Sequence, residues 1–150
     1  MLALASAIWL TYIGQMATAF SLDRFLASPP LERAHAVAKG LPAKAVRDLV
    51  SDPAITIADV ARIVAPRRTI DRRLKDNSPL SPAESDRLAR FLSVLNETVR
   101  LVGSREKAMR WLSEPKDVFD GERPIDLLRT GAGAQAIEEF FLRAKHGMLA

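Results

Sequence analysis

Between Arg62 and Lys75 the chain carries Arg62, Arg67, Arg68, Arg72, Arg73 and Lys75 against a single acid, Asp71. Cations at this density do one kind of chemistry well. They neutralise phosphate, and arginine also pairs bidentately with O6 and N7 of guanine in a major groove. A helix that reads DNA places such residues near its N-terminal end, where it enters the groove. Arg67, Arg68 and Thr69 occupy that end here, and Arg72, Arg73 and Lys75 continue the basic surface. The bland alternative is a solvated cationic face, which is what a charge run on a helix usually is. A short apolar segment before the cluster and the break at Pro66 favour the DNA-reading alternative. Against it stands the linker Ile63-Val64-Ala65-Pro66, which lacks the glycine found at the turn of many helix-turn-helix units.

No other residues assemble into a site. The two histidines, His35 and His146, are far apart, and no H-E-x-x-H spacing brings ligands to one helix face. His146 falls near a predicted helix C-terminus, where a cation is favourable. Glu138 and Glu139 are adjacent, so on a helix they diverge and form no paired-carboxylate centre. There is no G-x-S-x-G elbow. Gly131-Ala132-Gly133-Ala134 lacks the preceding strand and the lysine of a phosphate loop, and reads as a flexible entry to the last helix. Without cysteine, disulfides, thiolate metal sites and cysteine nucleophiles are excluded. The expectation is a chain that is not an enzyme and carries no metal or cofactor. Trp111, Leu127 and Leu128 are expected in the core of the C-terminal helices, with the Trp111 indole N–H needing a partner if buried.

The elements that position these residues read as helices throughout. An opening helix ends at Ser28-Pro29-Pro30. Leu31 to Lys39 is a predicted short helix closed by Gly40, and Pro42 opens another reaching about Val50. After Ser51-Asp52-Pro53, Thr56 caps a helix with Asp59 in its first turn and Val60, Ile63 and Val64 on its apolar face. Pro66 stops it. The next helix runs from Arg67 to Lys75, with Ile70 and Leu74 facing in and the basic residues facing elsewhere. Two short helices with a tight break are the outline of a helix-turn-helix. Ser81-Pro82-Ala83-Glu84 is the clearest helix start, a capping serine followed by proline and glutamate. From it Leu88, Phe91, Leu92, Leu95, Val99 and Val102 form the stripe of a long helix ended by Gly103, which joins the two halves. Ser104 caps a helix carrying Ala108, Trp111 and Leu112 and stopping before Pro115. Asp120-Gly121 is a turn, Pro124 opens a short helix to about Arg129, and Thr130 caps the last, where Ile137, Phe140, Phe141 and Ala144 share a face. No segment alternates with period two, so the fold class is all-α.

The 150 residues suit one compact domain or two small ones sharing a core. Apolar residues make up 48% and charged ones 27%, which places the chain among globular proteins, and aromatics at 6% imply an aliphatic core. The net charge of +4 permits nucleic-acid binding without demanding it. From Met1 to Leu22 there is no charge. That length suits a membrane span, and Ala17-Thr18-Ala19 resembles a cleavage site. No cation precedes the run, however, Asp23 follows it at once, and Thr11, Tyr12, Gly14, Gln15 and Thr18 dilute it. The preferred reading is a buried or dimer-contact helix and no membrane. Either this stretch or the helix from Pro82 to Val102 is the expected homodimer contact.

One ordered set of motifs goes further. It runs Arg110-Trp111-Leu112, Phe119-Asp120-Gly121, Pro124, Leu127-Leu128-Arg129-Thr130, Gly133-Ala134 and His146-Gly147. It resembles the toxin-binding domain of the Xre/MbcA/ParS group of bacterial antitoxins. Pro66-Arg67-Arg68-Thr69 with Arg72-Arg73, then Glu84-Ser85-Asp86-Arg87-Leu88, resembles the helix-turn-helix half of the same proteins. The likeness covers roughly the last two-thirds of the chain. It implies an all-α fold in which a helix-turn-helix-containing N-terminal half precedes a small helical toxin-binding domain. The expected division is an apolar helix and lead-in at 1–40, a DNA-binding region at 41–103 and a toxin-binding domain at 104–150. The likeness further implies an antitoxin of the RES-Xre type, whose partner is a RES-domain toxin that consumes NAD. NAD is then the toxin's substrate and not a cofactor of this chain. In such antitoxins the extreme C-terminus enters the toxin's active-site cleft, which falls here on Gly147, Met148, Leu149 and Ala150. On residues alone the same tail reads as a frayed end. The resemblance also implies a cytoplasmic homodimer or dimer of heterocomplexes that represses its own operon by binding operator DNA. Two alternatives stay open: a stand-alone helix-turn-helix repressor without a toxin, and a membrane-associated regulator anchored by Met1 to Phe20.

Overall fold

The computed structural model describes residues 20–147, and every regular element among them is helical. The apolar opening stretch lies outside the described residues up to Ala19, as do Met148, Leu149 and Ala150 of the tail. The described helices are α1 (Leu22–Ala27), α2 (Pro30–Lys39), α3 (Ala43–Val50), α4 (Ile57–Ile63), α5 (Arg67–Asp76), α6 (Pro82–Val102), α7 (Arg105–Ser113), α8 (Pro124–Leu127) and α9 (Gly131–Lys145). A 3-10 turn, Asp117–Phe119, lies between α7 and α8. Among the described residues no helix is long and apolar enough to cross a membrane.

Capping chemistry sets the boundaries. Thr56 and Asp59 form a reciprocal box at the start of α4, with Thr56 N–H donating to Asp59 Oδ2 at 2.8 Å and Asp59 N–H to Thr56 Oγ1 at 3.2 Å. Ser81 and Glu84 repeat the arrangement at α6, at 2.8 and 3.1 Å. Ser104 and Thr130 cap α7 and α9 through the N–H groups of Lys107 and Gly133. Pro42 stands as the N-cap of α3, one position before the helix it was expected to open.

The α6 helix, 21 residues and about 32 Å long, is the axis of the molecule. It packs against α2, α4, α7 and α9. Leu88, Phe91, Leu92 and Leu95 are buried in one continuous aliphatic core with Val46, Leu49, Val60, Ile63 and Ile70 on one side and Leu112, Ile125, Leu128, Ile137 and Phe141 on the other. A single core of this kind couples the two halves. The apolar stripe of α6 is thereby taken up inside the chain and is not the free dimer contact that the pattern allowed. Among the described residues every buried side-chain nitrogen and oxygen has a hydrogen-bond partner. Ser85 Oγ accepts from Leu41 N–H at 2.8 Å, which ties the start of α6 to the entry of α3.

The Gly131–Ala134 segment departs from expectation. It is the first turn of α9, not a flexible entry. Gly133 lies so close to the carbonyl of Leu127 that a Cβ there would overlap its oxygen. The glycine allows the α8–α9 corner to close, which is a packing role invisible in local pattern.

Candidate functional site

The α4–α5 pair forms the helix-turn-helix. Val64 and Ala65 in its turn are buried. No residue from Ile63 to Pro66 has positive φ, so the turn has no need of the absent glycine. It is fastened from outside instead. Arg87, one turn into α6, donates from Nε to the carbonyl oxygen of Val64 at 2.7 Å. Ile70 is the one fully buried residue of α5, with Leu74 half-buried, so most of this helix faces outward.

The structure divides the basic residues into two sets. Arg68, Arg72 and Lys75 stand at i, i+4 and i+7, on one stripe, and are exposed. Among the described residues none of the three is in an ion pair. With Thr69, Asp71 and Asp76 they line an open groove along the helix. Arg67 is exposed at the N-terminal end, but its Nε donates to both carboxylate oxygens of Asp71, at 2.8 and 3.0 Å. Arg73 is turned inward. Its Nε and Nη2 donate to the two oxygens of Glu84 at 3.2 and 3.4 Å, with the side chains 23% and 10% exposed. The expectation that all the basic residues face away from the body is corrected here. At i+3 from Ile70, Arg73 lies toward α6, and Glu84 at the start of α6 meets it. Arg68, Arg72 and Lys75, with Arg67 at the tip, are the cations that α5 presents to solvent.

The second half presents an aromatic cluster. Trp111 of α7 stacks on Phe140 of α9 with centroids 5.9 Å apart and planes 20° apart, and meets Phe119 edge-on at 6.3 Å. Phe141 approaches at 5.4 Å and Lys116 Nζ sits 5.5 Å over the indole. Trp111 was expected in the core but is half-buried, as are Phe119 and Phe140, and all three pack against the edge of the core. Leu128 is fully buried and Leu127 half-buried. Beside the cluster Val118 and Leu142 are 49% and 56% exposed. Lys145 pairs with Glu97 of α6, which holds the end of α9 against the axis. Gly147 follows with φ of 65°, so the chain leaves α9 in the left-handed conformation, and the remaining tail residues lie outside the described part.

The halves meet along a seam rich in arginine. Arg62 of α4 pairs with Asp126 of α8 at 3.3 Å, and Arg123 donates to the other oxygen of Asp126 at 2.8 Å. Arg129 Nε donates to the carbonyl of Arg62 at 3.0 Å, and Arg90 of α6 donates to that of Leu128 at 3.4 Å.

Two family models match this arrangement half by half. The antitoxin Xre-like helix-turn-helix domain matches residues 32–93, and the antitoxin Xre/MbcA/ParS C-terminal toxin-binding domain matches residues 98–147. The chain belongs to the Xre/MbcA/ParS antitoxin family. Both matched segments draw on α6, the first ending and the second beginning within it. Among curated relatives, a protein named antitoxin Xre from Pseudomonas putida is 37% identical over 84 residues, covering 56% of this chain and 53% of the relative. One of the same name from Yersinia enterocolitica is 34% identical over 84 residues, covering 55% and 57%. A third, from Photorhabdus laumondii, is 28% identical over 113 residues, covering 74% and 76%. The chain thus spans a little over half the length of the first two relatives.

Arg87, Arg90 and Arg129 were missed as residues that shape the site. Each acts on a backbone carbonyl 23 to 67 positions away. A local pattern carries no signal for such a bond.

Proposed function

We propose that this antitoxin-family chain neutralises a partner toxin through its C-terminal unit and represses its own operon through α5. The partner is a RES-domain toxin that consumes NAD, and Gly147, Met148, Leu149 and Ala150 enter its active-site cleft. A small apolar end with a terminal carboxylate suits a concave nucleotide site, where it offers an anion in place of phosphate. The operator contacts come from Arg67, Arg68, Thr69, Arg72 and Lys75, with Arg73 bracing the helix from behind. The working units are 1–40, 41–103 and 104–150, and the acting species is a cytoplasmic homodimer or a larger complex with toxin. With the α6 stripe enclosed, the uncharged stretch before Phe20 is the proposed dimer contact.

One observation carries this reading. A helix-turn-helix with unpaired outer cations and a C-terminal unit ending in a left-handed exit share one helix and one core.

The test is co-purification of the chain with the product of the neighbouring RES-type gene, followed by an NAD-consumption assay. The full chain should carry a stoichiometric partner and hold it inactive. Deleting Met148, Leu149 and Ala150 should release NAD consumption while the melting temperature stays unchanged, since no described core residue lies beyond Phe141. Full inhibition by the truncated chain would place the block elsewhere, and a chain that purifies without a partner would favour the stand-alone repressor.

A further inference from the structure

We infer that Arg129, a residue of the C-terminal unit, holds a DNA phosphate beside the groove that α5 enters, so that the nucleic-acid footprint extends beyond the helix-turn-helix. This rests on the DNA-reading half of the proposed function. Arg129 is exposed, and its Nε donates to the carbonyl oxygen of Arg62 at 3.0 Å. That carbonyl is among the last of α4, where backbone acceptors lack helical partners and a cation is favourable. A guanidinium held through Nε keeps both terminal nitrogens, the paired donors that match two phosphate oxygens. Among the described residues neither terminal nitrogen has a partner, and no carboxylate forms an ion pair with Arg129.

Arg47 shows the contrast. It caps the end of α5 through Nη2 to the carbonyl of Leu74 at 2.7 Å and Nη1 to Asn77 Oδ1 at 3.3 Å. Its paired donors are consumed inside the fold, and those of Arg129 are not.

The corner that carries Arg129 is rigid. Arg90 holds the Leu128 carbonyl, Leu128 itself is fully buried, and Gly133 abuts the Leu127 carbonyl. A side chain positioned before its ligand arrives loses less freedom on binding.

Its place also fits. Arg62 and Arg67 are five residues apart, so the backbone acceptor that holds Arg129 is within about 17 Å of chain from the first residue of α5. The major groove is roughly 12 Å wide, so a duplex entered by Arg67 and Arg68 has bordering phosphates within reach of a guanidinium held at the end of α4. Contacts of this sort set the register of a reading helix without themselves reading sequence.

The test uses the full chain and random-sequence duplex DNA, titrated by fluorescence anisotropy across a salt series. Arg129→Ala should lower the slope of log affinity against log salt by about one unit and weaken binding on the order of tenfold near 0.1 M salt. Arg129→Lys keeps the charge and loses the Nε bond. It should retain the wild-type slope while its melting temperature falls as far as that of Arg129→Ala. Arg68→Ala serves as the reference for α5. If Arg68→Ala lowers the slope and Arg129→Ala lowers only the melting temperature, Arg129 is a helix cap and this inference is overturned alone. If Arg129→Ala leaves the slope intact but releases the partner toxin on co-purification, the residue serves the other partner and the inference is equally overturned. A wild-type chain without salt-dependent binding overturns this inference together with the DNA-reading proposal.

Discussion

The basic helix α5 and the α8–α9 corner sit on opposite sides of one seam, and they relate surface to core in opposite ways. On α5 the fold requires Ile70, the inner face of Leu74 and the Arg73–Glu84 pair, and leaves Arg68, Arg72 and Lys75 unpaired in solvent. At the corner, Ile125, Leu128, Ala134 and Ile137 are all buried, and Gly133 is fixed by the carbonyl beside it. What the C-terminal unit leaves accessible is therefore mostly the half-exposed aromatic face around Trp111, Phe119 and Phe140. A helix that docks by one face can vary its outer charges at little cost in stability. A corner locked by close backbone approach tolerates little change at the positions that close it.

This contrast can be broken by substitution, on a common scale of unfolding free energy. The largest loss is expected for Gly133→Ala. The new methyl overlaps the Leu127 oxygen, so α8 and α9 must separate, at a cost of about 3 kcal/mol, at the upper end for overpacking. Chemical denaturation reads this directly, and wild-type stability in the variant would show that the corner yields easily. Next comes Arg73→Ala, which leaves the Glu84 carboxylate largely enclosed with the Ser81 N–H as its remaining partner. Breaking a buried pair costs about 3–5 kcal/mol, and the partial exposure of this one brings the expectation to about 2 kcal/mol. Arg72→Ala, one position away, is the control and should change stability by less than about 0.5 kcal/mol. Equal effects from the two arginines would erase the division of α5 into an inner and an outer set. The smallest change in stability is expected for Arg68→Ala combined with Arg72→Ala, again within about 0.5 kcal/mol. The same double variant should reduce the salt slope of DNA binding by about two units, one for each phosphate contact. An unchanged slope would remove α5 as the DNA-facing element.

Much of this was open to inspection in the linear chain, for reasons that differ by element. Ser81-Pro82-Ala83-Glu84 and Thr56 to Asp59 announce helix starts because capping is settled within four residues. The stripe from Leu88 to Val102 is readable because a helix repeats every 3.6 residues. The basic run from Arg67 to Lys75 is equally plain, but its division is not. Arg72 and Arg73 are neighbours of identical type, and only the packing of α6 turns Arg73 onto Glu84 and leaves Arg72 outside. The Gly131–Ala134 segment misled for a related reason. Glycine signals flexibility locally, and here it marks a contact with a backbone six residues earlier. The missing glycine of the α4–α5 turn misled in the opposite sense, since Arg87 supplies from a distance the fastening that turn chemistry would supply nearby.

The amino-acid sequence by itself determined the helices, their order and the inward side of α5 at Ile70 and Leu74, because each depends on interactions spanning no more than about four residues. The ordered motifs from Arg110 to Gly147 also carried the family. Only the tertiary structure decided which arginines are free and which brace the fold, that α6 is enclosed within the chain, and that Arg129 reaches across to α4. Those outcomes depend on where carbonyls and carboxylates from distant segments come to lie, and that is settled by the packing of the shared core around α6.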